Sequence, residues 1–231
     1  MVNFISNAAC LEFVQLVGEL EGNTLIYSEK YKVLFISVPK TGTTSLTAPL
    51  MERLEGRRNM IPKGNEWVTV GEHSTLSQIA ALVGWDKLKD VTIIGGVRNP
   101  WDRVVSAYNF YCNGRVVQRV KAGERKNIKA ILKVFLAKAL PFSLWVYIYK
   151  TPNCFDYLCD DSGVLRAYII HLENLNVEMP RICEKLGIPP FIPGKENVSS
   201  RKPYGNYYNG RTKALVMKRF NKDIDAFDYG Y

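Results

Sequence analysis

The chain reads as an α/β protein: one domain over residues 1–231, with a mostly parallel central sheet flanked by helices. Three observations predict this. Residues 31–38 and 91–97 are largely apolar, as strands covered on both faces must be. Each is followed within a few residues by helical spacing, not by a second strand close enough to form a hairpin. Strand-like and helix-like stretches then keep alternating to the C-terminus, the pattern of crossover connections between parallel strands.

The elements follow in order. Residues 24–28 and 31–38 are predicted as two strands around a tight turn at Glu29 and Lys30. Residues 44–55 put Leu46, Leu50, Met51 and Leu54 at helical spacing, and residues 75–83 do the same with Leu76, Ile79, Ala80 and Val83. After the strand at 91–97, Pro100 opens a helix reaching Tyr108 or a little beyond, since a missing amide does no harm in a first turn. Residues 167–170 form a third strand, 177–186 a helix ended by Gly187, 189–210 a loop rich in Pro, Gly, Asn and Tyr, and 212–220 a last helix. Residues 114–152 combine a basic helical stretch (115–138) with an aromatic one (142–149) and read as a helical insertion over the core.

Composition narrows the class. Hydrophobic residues make up 47% of the chain and charged residues 23%, so a packed core needs no disulfides. The cysteines (Cys10, Cys112, Cys154, Cys159 and Cys183) are odd in number and form no CxxC pair, which predicts reduced thiols. His73 and His171 complete no zinc spacing with them. No run approaches the ~20 apolar residues of a membrane span. The N-terminal apolar residues are broken by Asn3, Asn7, Glu12 and Gln15, with no basic stretch before them. A soluble, cytoplasmic protein without a signal peptide is therefore expected. The formal net charge of +9 suits either a solubilising surface or a polyanionic ligand, and charge alone does not separate nucleic acid, membrane, sulfated glycan and nucleotide.

Two segments carry chemistry. Pro39, Lys40, Thr41, Gly42, Thr43, Thr44 and Ser45 follow a buried strand and open a helix. Unpaired amides at a helix start, with the dipole behind them, make an anion site. Gly42 allows close backbone approach, the hydroxyls add donors, and Lys40 adds a mobile positive charge. The Walker A order is absent, because Lys40 precedes the glycine. The plainer alternative is a capped helix start with an incidental lysine. The second segment runs from Gly96 to Tyr108. Arg98 ends a buried strand, where open α/β sheets bind ligands, and its fork suits a phosphate. Ser106 lies two helical turns on. A structural ion pair with Asp102 or a neighbour is the expectation for Arg103, but not for Arg98.

Together these segments resemble the 5′-phosphosulfate and 3′-phosphate motifs of sulfotransferases that use 3′-phosphoadenosine 5′-phosphosulfate (PAPS). The carbohydrate-type branch and its bacterial relatives are the most similar. Shorter matches follow in order: His73-Ser74-Thr75, Glu173-Asn174-Leu175, Leu186-Gly187-Ile188, Asn197-Val198-Ser199-Ser200-Arg201 with nearby tyrosines, and Phe220 with Asp223, Ile224, Phe227 and Tyr229. The match runs from about residue 33 to the C-terminus and omits residues 1–30 and 114–152. The resemblance implies a P-loop-like fold and transfer of a sulfuryl group from PAPS to an acceptor hydroxyl, a carbohydrate by preference, with release of PAP. Lys40 would contact the 5′-phosphate and the bridging oxygen. Pro39, Thr41, Gly42, Thr43, Thr44 and Ser45 would complete the cradle. Arg98 and Ser106 would bind the 3′-phosphate, with Arg201 as a third contact. No metal is needed, because lysine, arginine and amides already counter the charge. No nucleic-acid partner is implied, and the 114–152 insertion would shape the acceptor side.

His73 is the expected base, since an imidazole titrates near neutral pH and accepts a proton as the acceptor oxygen attacks. Its plainer alternative is a cap for the helix at 75–83, and Glu72 is the second candidate. His171 and Glu173 read as structural, and Asp223 and Phe227 as capping and packing residues. Tyr204, Tyr207 and Tyr208 either stack on adenine or a sugar, or pack the loop onto the sheet. Lys121, Arg125, Lys126, Lys129 and Lys133 read as a solvated helix face, or as a lure for an anionic glycan. The rival functions are a P-loop kinase or NTPase, which lacks its Walker A order here, and a non-catalytic nucleotide-binding module, which would not need His73.

Overall fold

The computed structural model describes residues 25–71, 73–121, 128–194 and 201–231. In chain order the elements are β1 (Ile26–Ser28), β2 (Val33–Ile36), α1 (Thr43–Leu54), β3 (Arg57–Arg58), β4 (Met60–Lys63), β5 (Glu66–Thr69), α2 (Leu76–Val83), α3 (Trp85–Leu88) and β6 (Thr92–Val97). Then come α4 (Pro100–Asn113), α5 (Arg115–Lys121), α6 (Ile128–Ala139), α7 (Phe142–Ile148), α8 (Cys154–Leu158), β7 (Tyr168–His171), α9 (Leu175–Leu186), α10 (Gly210–Arg219) and α11 (Asn221–Phe227). The described residues fall into two compact units, one drawn from Met1–Val97 and Asp156–Glu196, the other from Arg98–Phe155 and Asn197–Tyr231.

The first unit is built on a five-stranded sheet in the order β3-β1-β2-β6-β7. β2 pairs with β6 and β6 with β7 in parallel, whereas β1 pairs antiparallel with β2 and β3. The sheet is therefore mixed, and the three strands that lead into the sequence motifs are its parallel part. All four residues of β2 are buried, as a central strand requires. One face of the sheet packs against α1 through Leu46, Leu50 and Leu54 and against α9 through Met179, Ile182, Cys183 and Leu186. Both sets recur at three- and four-residue intervals, so each helix turns one stripe to the sheet. Each such side chain contributes roughly 1.5–3 kcal/mol by leaving water. Gly187, at φ 65°, ends α9 in the left-handed region. The amides of Gly187 and Ile188 there return to the carbonyls of Glu184 and Cys183.

The predicted strands and helices of this unit are present, with ends shifted by a few residues. The β4–β5 hairpin and the short β3, α3 and α8 are additions that the sequence patterns did not announce.

The second unit centres on α4, which runs to Asn113, where the sequence predicts an end at Tyr108 or a little beyond. Asn99 caps it, accepting from the amides of Trp101 at 3.1 Å and Asp102 at 3.4 Å, and Pro100 occupies the first turn. The described part of residues 114–152 holds the helices α5, α6 and α7, as the helical spacing predicts. Arg103 and Asp223 form a buried pair, with Nη1 3.6 Å from Oδ2 and side chains 1% and 0% exposed. Arg103 also donates to the Pro152 carbonyl at 2.9 Å, and Asp223 accepts from the amides of Cys154 and Phe155, both at 2.8 Å. Burial pushes the Asp223 carboxyl above its usual range, while Arg103 and the two amides pull it back. The structural reading of Arg103 thus holds, with Asp223 as the partner.

Removing one partner of a buried pair leaves an uncompensated charge and costs ~3–5 kcal/mol. Asp223→Ala is expected to lower the thermal midpoint by about 10 °C, measured by circular dichroism. A midpoint within about 2 °C of the parent would contradict this role.

Candidate active site

In the first unit, the turn between β2 and α1 is bent by two left-handed residues, Lys40 at φ 68° and Gly42 at φ 77°. A lysine in that region is strained and persists only where its surroundings hold it. Thr41, between them, is 1% exposed and donates its hydroxyl to the Val38 carbonyl at 2.9 Å. Neighbouring strands leave room for the turn. A Cβ on Gly96 would meet Thr41 Oγ1 at 3.1 Å and the Thr41 carbonyl oxygen at 3.3 Å, and one on Gly42 would sit 2.3 Å from Leu172 Cδ1. The chain after β2, the end of β6 and the residue after β7 therefore meet at the carboxyl edge of the parallel strands. That is the edge where open α/β sheets bind ligands.

α1 begins at Thr43 with Gly42 as its cap residue and no side-chain cap, and the Ser45 amide reaches the Gly42 carbonyl at 3.0 Å. The first-turn amides of a helix have no intrahelical acceptor, which suits an anion. The hydroxyls are a different matter. Thr41 spends its only hydroxyl proton inside the turn, and Thr43 and Ser45 are buried, while Thr44, Pro39 and Lys40 are half-buried. The expectation that all these hydroxyls line a cradle as donors is thus corrected for Thr41, whose side chain shapes the turn.

His73 is drawn to the root of the same turn. Its Nδ1 lies 2.9 Å from the Ser37 carbonyl oxygen. A carbonyl only accepts, so Nδ1 carries the proton, and in the neutral ring Nε2 is the acceptor nitrogen. His73 is not the cap of α2. That role belongs to Thr75, which accepts from the Gln78 amide while Gln78 returns a bond to the Thr75 amide. Glu72, the second candidate base, lies outside the described residues.

In the second unit, Arg98 does form an ion pair with Asp102, contrary to expectation. Its Nε and Nη2 donate to Oδ2 at 2.8 and 2.6 Å. Asp102 accepts from Arg201, 99 residues further along the chain, through its other oxygen, so one carboxylate holds two guanidinium groups. The three side chains are 13–20% exposed and keep one net positive charge. Arg201 Nη1 is buried with no hydrogen-bond partner among the described residues. Ser106, half-buried, follows Asp102 by one helical turn on the same face of α4. Asp102 was legible only as a possible ion-pair partner for Arg103 or Arg98, and no local signal linked it to Arg201. Residues 197–200 of the Asn-Val-Ser-Ser-Arg segment lie outside the described residues.

Other candidates resolve as follows. His171 pairs with Glu178, through Nδ1 at 3.0 Å and its amide at 2.6 Å. Tyr208 donates to the Trp101 carbonyl at 2.9 Å and packs edge-on against Phe142, burial raising its hydroxyl pKa. Tyr207 also meets Phe142, and Tyr204 meets Tyr231. Of the two readings of these tyrosines, packing is the one with contacts behind it, within the second unit. Arg125 and Lys126 lie outside the described residues. An open groove lined by Trp85, Lys89, Val91, Asp160 and Arg166 lies at the opposite end of β6 from the turn and plays no part in this site.

The profile of the Sulfotransferase family matches residues 23–162, more than half of the chain. The chain belongs to this family, and sulfuryl transfer is its general chemistry. No curated protein and no solved structure matches it significantly.

Proposed function

We propose that this protein transfers a sulfuryl group from PAPS to an acceptor hydroxyl, preferentially that of a carbohydrate, and releases PAP. The observation that carries the reading is the bond from His73 Nδ1 to the Ser37 carbonyl, which sets an imidazole with Nε2 as acceptor beside the anion turn. A non-catalytic binding module has no use for that arrangement.

PAPS supplies the activated sulfuryl group. Nε2 of His73 takes the acceptor's proton as its oxygen forms the new bond to sulfur. The bond from sulfur to the 5′-phosphate oxygen breaks, and its electron pair stays on that oxygen. Lys40 and the amides from Gly42 to Thr44 counter the growing charge there, without a metal. Arg98, Ser106 and Arg201 take the 3′-phosphate. One feature that fits such a ligand is Nη1 of Arg201, which has no hydrogen-bond partner among the described residues. The preference for a carbohydrate rests on the ordered motifs from residue 33 onward that the chain shares with the carbohydrate-type branch.

Calorimetry without magnesium is expected to show PAP binding more tightly than ATP. His73→Ala should keep PAP affinity within about twofold yet lose roughly 10²–10⁴ in transfer rate, measured with labelled PAPS and a panel of glycans. Full activity in that variant would remove His73 as the base, and a preference for ATP would favour a kinase or NTPase.

Arg98→Ala should weaken PAP by about 10–100-fold and leave adenosine 5′-phosphate nearly unchanged, because a charge-assisted bond is worth roughly 1.5–3 kcal/mol. Equal losses for the two nucleotides would place Arg98 away from the 3′-phosphate.

A further inference from the structure

We propose that the α6–α7 face of the second unit is a docking surface for an anionic lipid membrane, on which the protein lies without crossing. α6 buries Ala130, Val134 and Ala137. At 100° per residue the opposite crest falls on Ile128, Leu132 and Phe135, which are 79%, 54% and 64% exposed. A surface helix normally carries its charges on that crest. Here the charges flank it, with Lys129 and Lys133 on one side and Lys138 on the other. α7 repeats the inversion: Phe142, Trp145 and Val146 are buried, while Leu144, Tyr147 and Ile148 face solvent. Lys121, Lys129 and Lys133 of the basic run are exposed, as expected of a solvated face.

Charge complementarity selects the occupant. Residues 114–152 hold nine lysines and arginines against one acid, Glu124, so this stretch accounts for a formal +8 of the chain's +9. An anionic bilayer satisfies both features at once. The apolar crest enters the acyl boundary, and the lysine stems lie along it with their ammonium groups at the phosphates. A second copy would set like charge against like charge. A polyanionic chain would use the lysines but leave Ile128, Leu132 and Phe135 in water. α6 has 12 residues, and no helix among the described residues is long and apolar enough to cross a membrane, which fits lying on the surface.

The test is flotation of the full chain with vesicles of phosphatidylcholine alone or with about one-third phosphatidylserine. Binding is expected to the serine-containing vesicles, weakened about tenfold or more by high salt, by Lys129→Glu with Lys133→Glu, and by Phe135→Asp. Circular dichroism and the thermal midpoint of each variant should match the parent. Absence of binding to the anionic vesicles overturns the proposal. So does binding that Phe135→Asp leaves unchanged, which would assign the face to a polyanion, or a dimer by light scattering that Phe135→Asp dissociates.

Discussion

The close seating of the turn after β2 against β6 is the constraint on which the arrangement of the first unit's candidate residues depends. Gly96 has no side chain, so Thr41 can press against the neighbouring strand. Thr41 then ties its hydroxyl back to Val38, and the chain reverses through Lys40 and Gly42 into α1. The Ser37 carbonyl at the root of this turn holds His73. The glycines that look like weak points in a buried strand are therefore what allows loop, helix start and imidazole to gather at one edge. Gly95, next to Gly96, makes room in the same way for Leu158, whose Cδ2 would lie 2.4 Å from a Cβ there.

The second unit shows two uses of arginine on one helix. Arg103 is buried and held by Asp223, with the amides of Cys154 and Phe155 completing the carboxylate's bonds. It fixes α4 against the chain around Pro152. Arg98, five residues earlier, is more exposed and shares Asp102 with Arg201. One carboxylate between two guanidinium groups orients both and leaves an excess of positive charge. The surface of α6 and α7 shows a third arrangement of charge, in which lysines border exposed apolar side chains.

Much of this was legible in the sequence, and the failures have physical causes. β2 and β6 announced themselves because strands buried on both faces are apolar throughout, and α1 and α9 because each turns a single apolar stripe to the sheet. The β4–β5 hairpin was missed because its residues are mostly half-buried or exposed and include Pro62, so no alternation stands out. α11 was missed because Asn-Lys-Asp-Ile-Asp-Ala-Phe is mostly polar and follows α10 without a breaker; its burial rests on Asp223 and Phe227. The order of motifs supplied the residue types of the candidate site as expectations. It did not reveal that Thr41 spends its hydroxyl internally, that Thr75 takes the capping role, or that Asp102 bridges two arginines, because each depends on contacts between distant parts of the chain.

The central claim is that the carbonyl at the root of the turn fixes the form of the His73 ring. Nitrogen-15 NMR of the imidazole, assigned by its loss in His73→Ala, measures this directly, since long-range couplings tell which ring nitrogen carries hydrogen. The account predicts that the neutral ring bears its proton on Nδ1, with Nε2 unprotonated. A neutral ring protonated on Nε2, or an even mixture of the two forms, would contradict it.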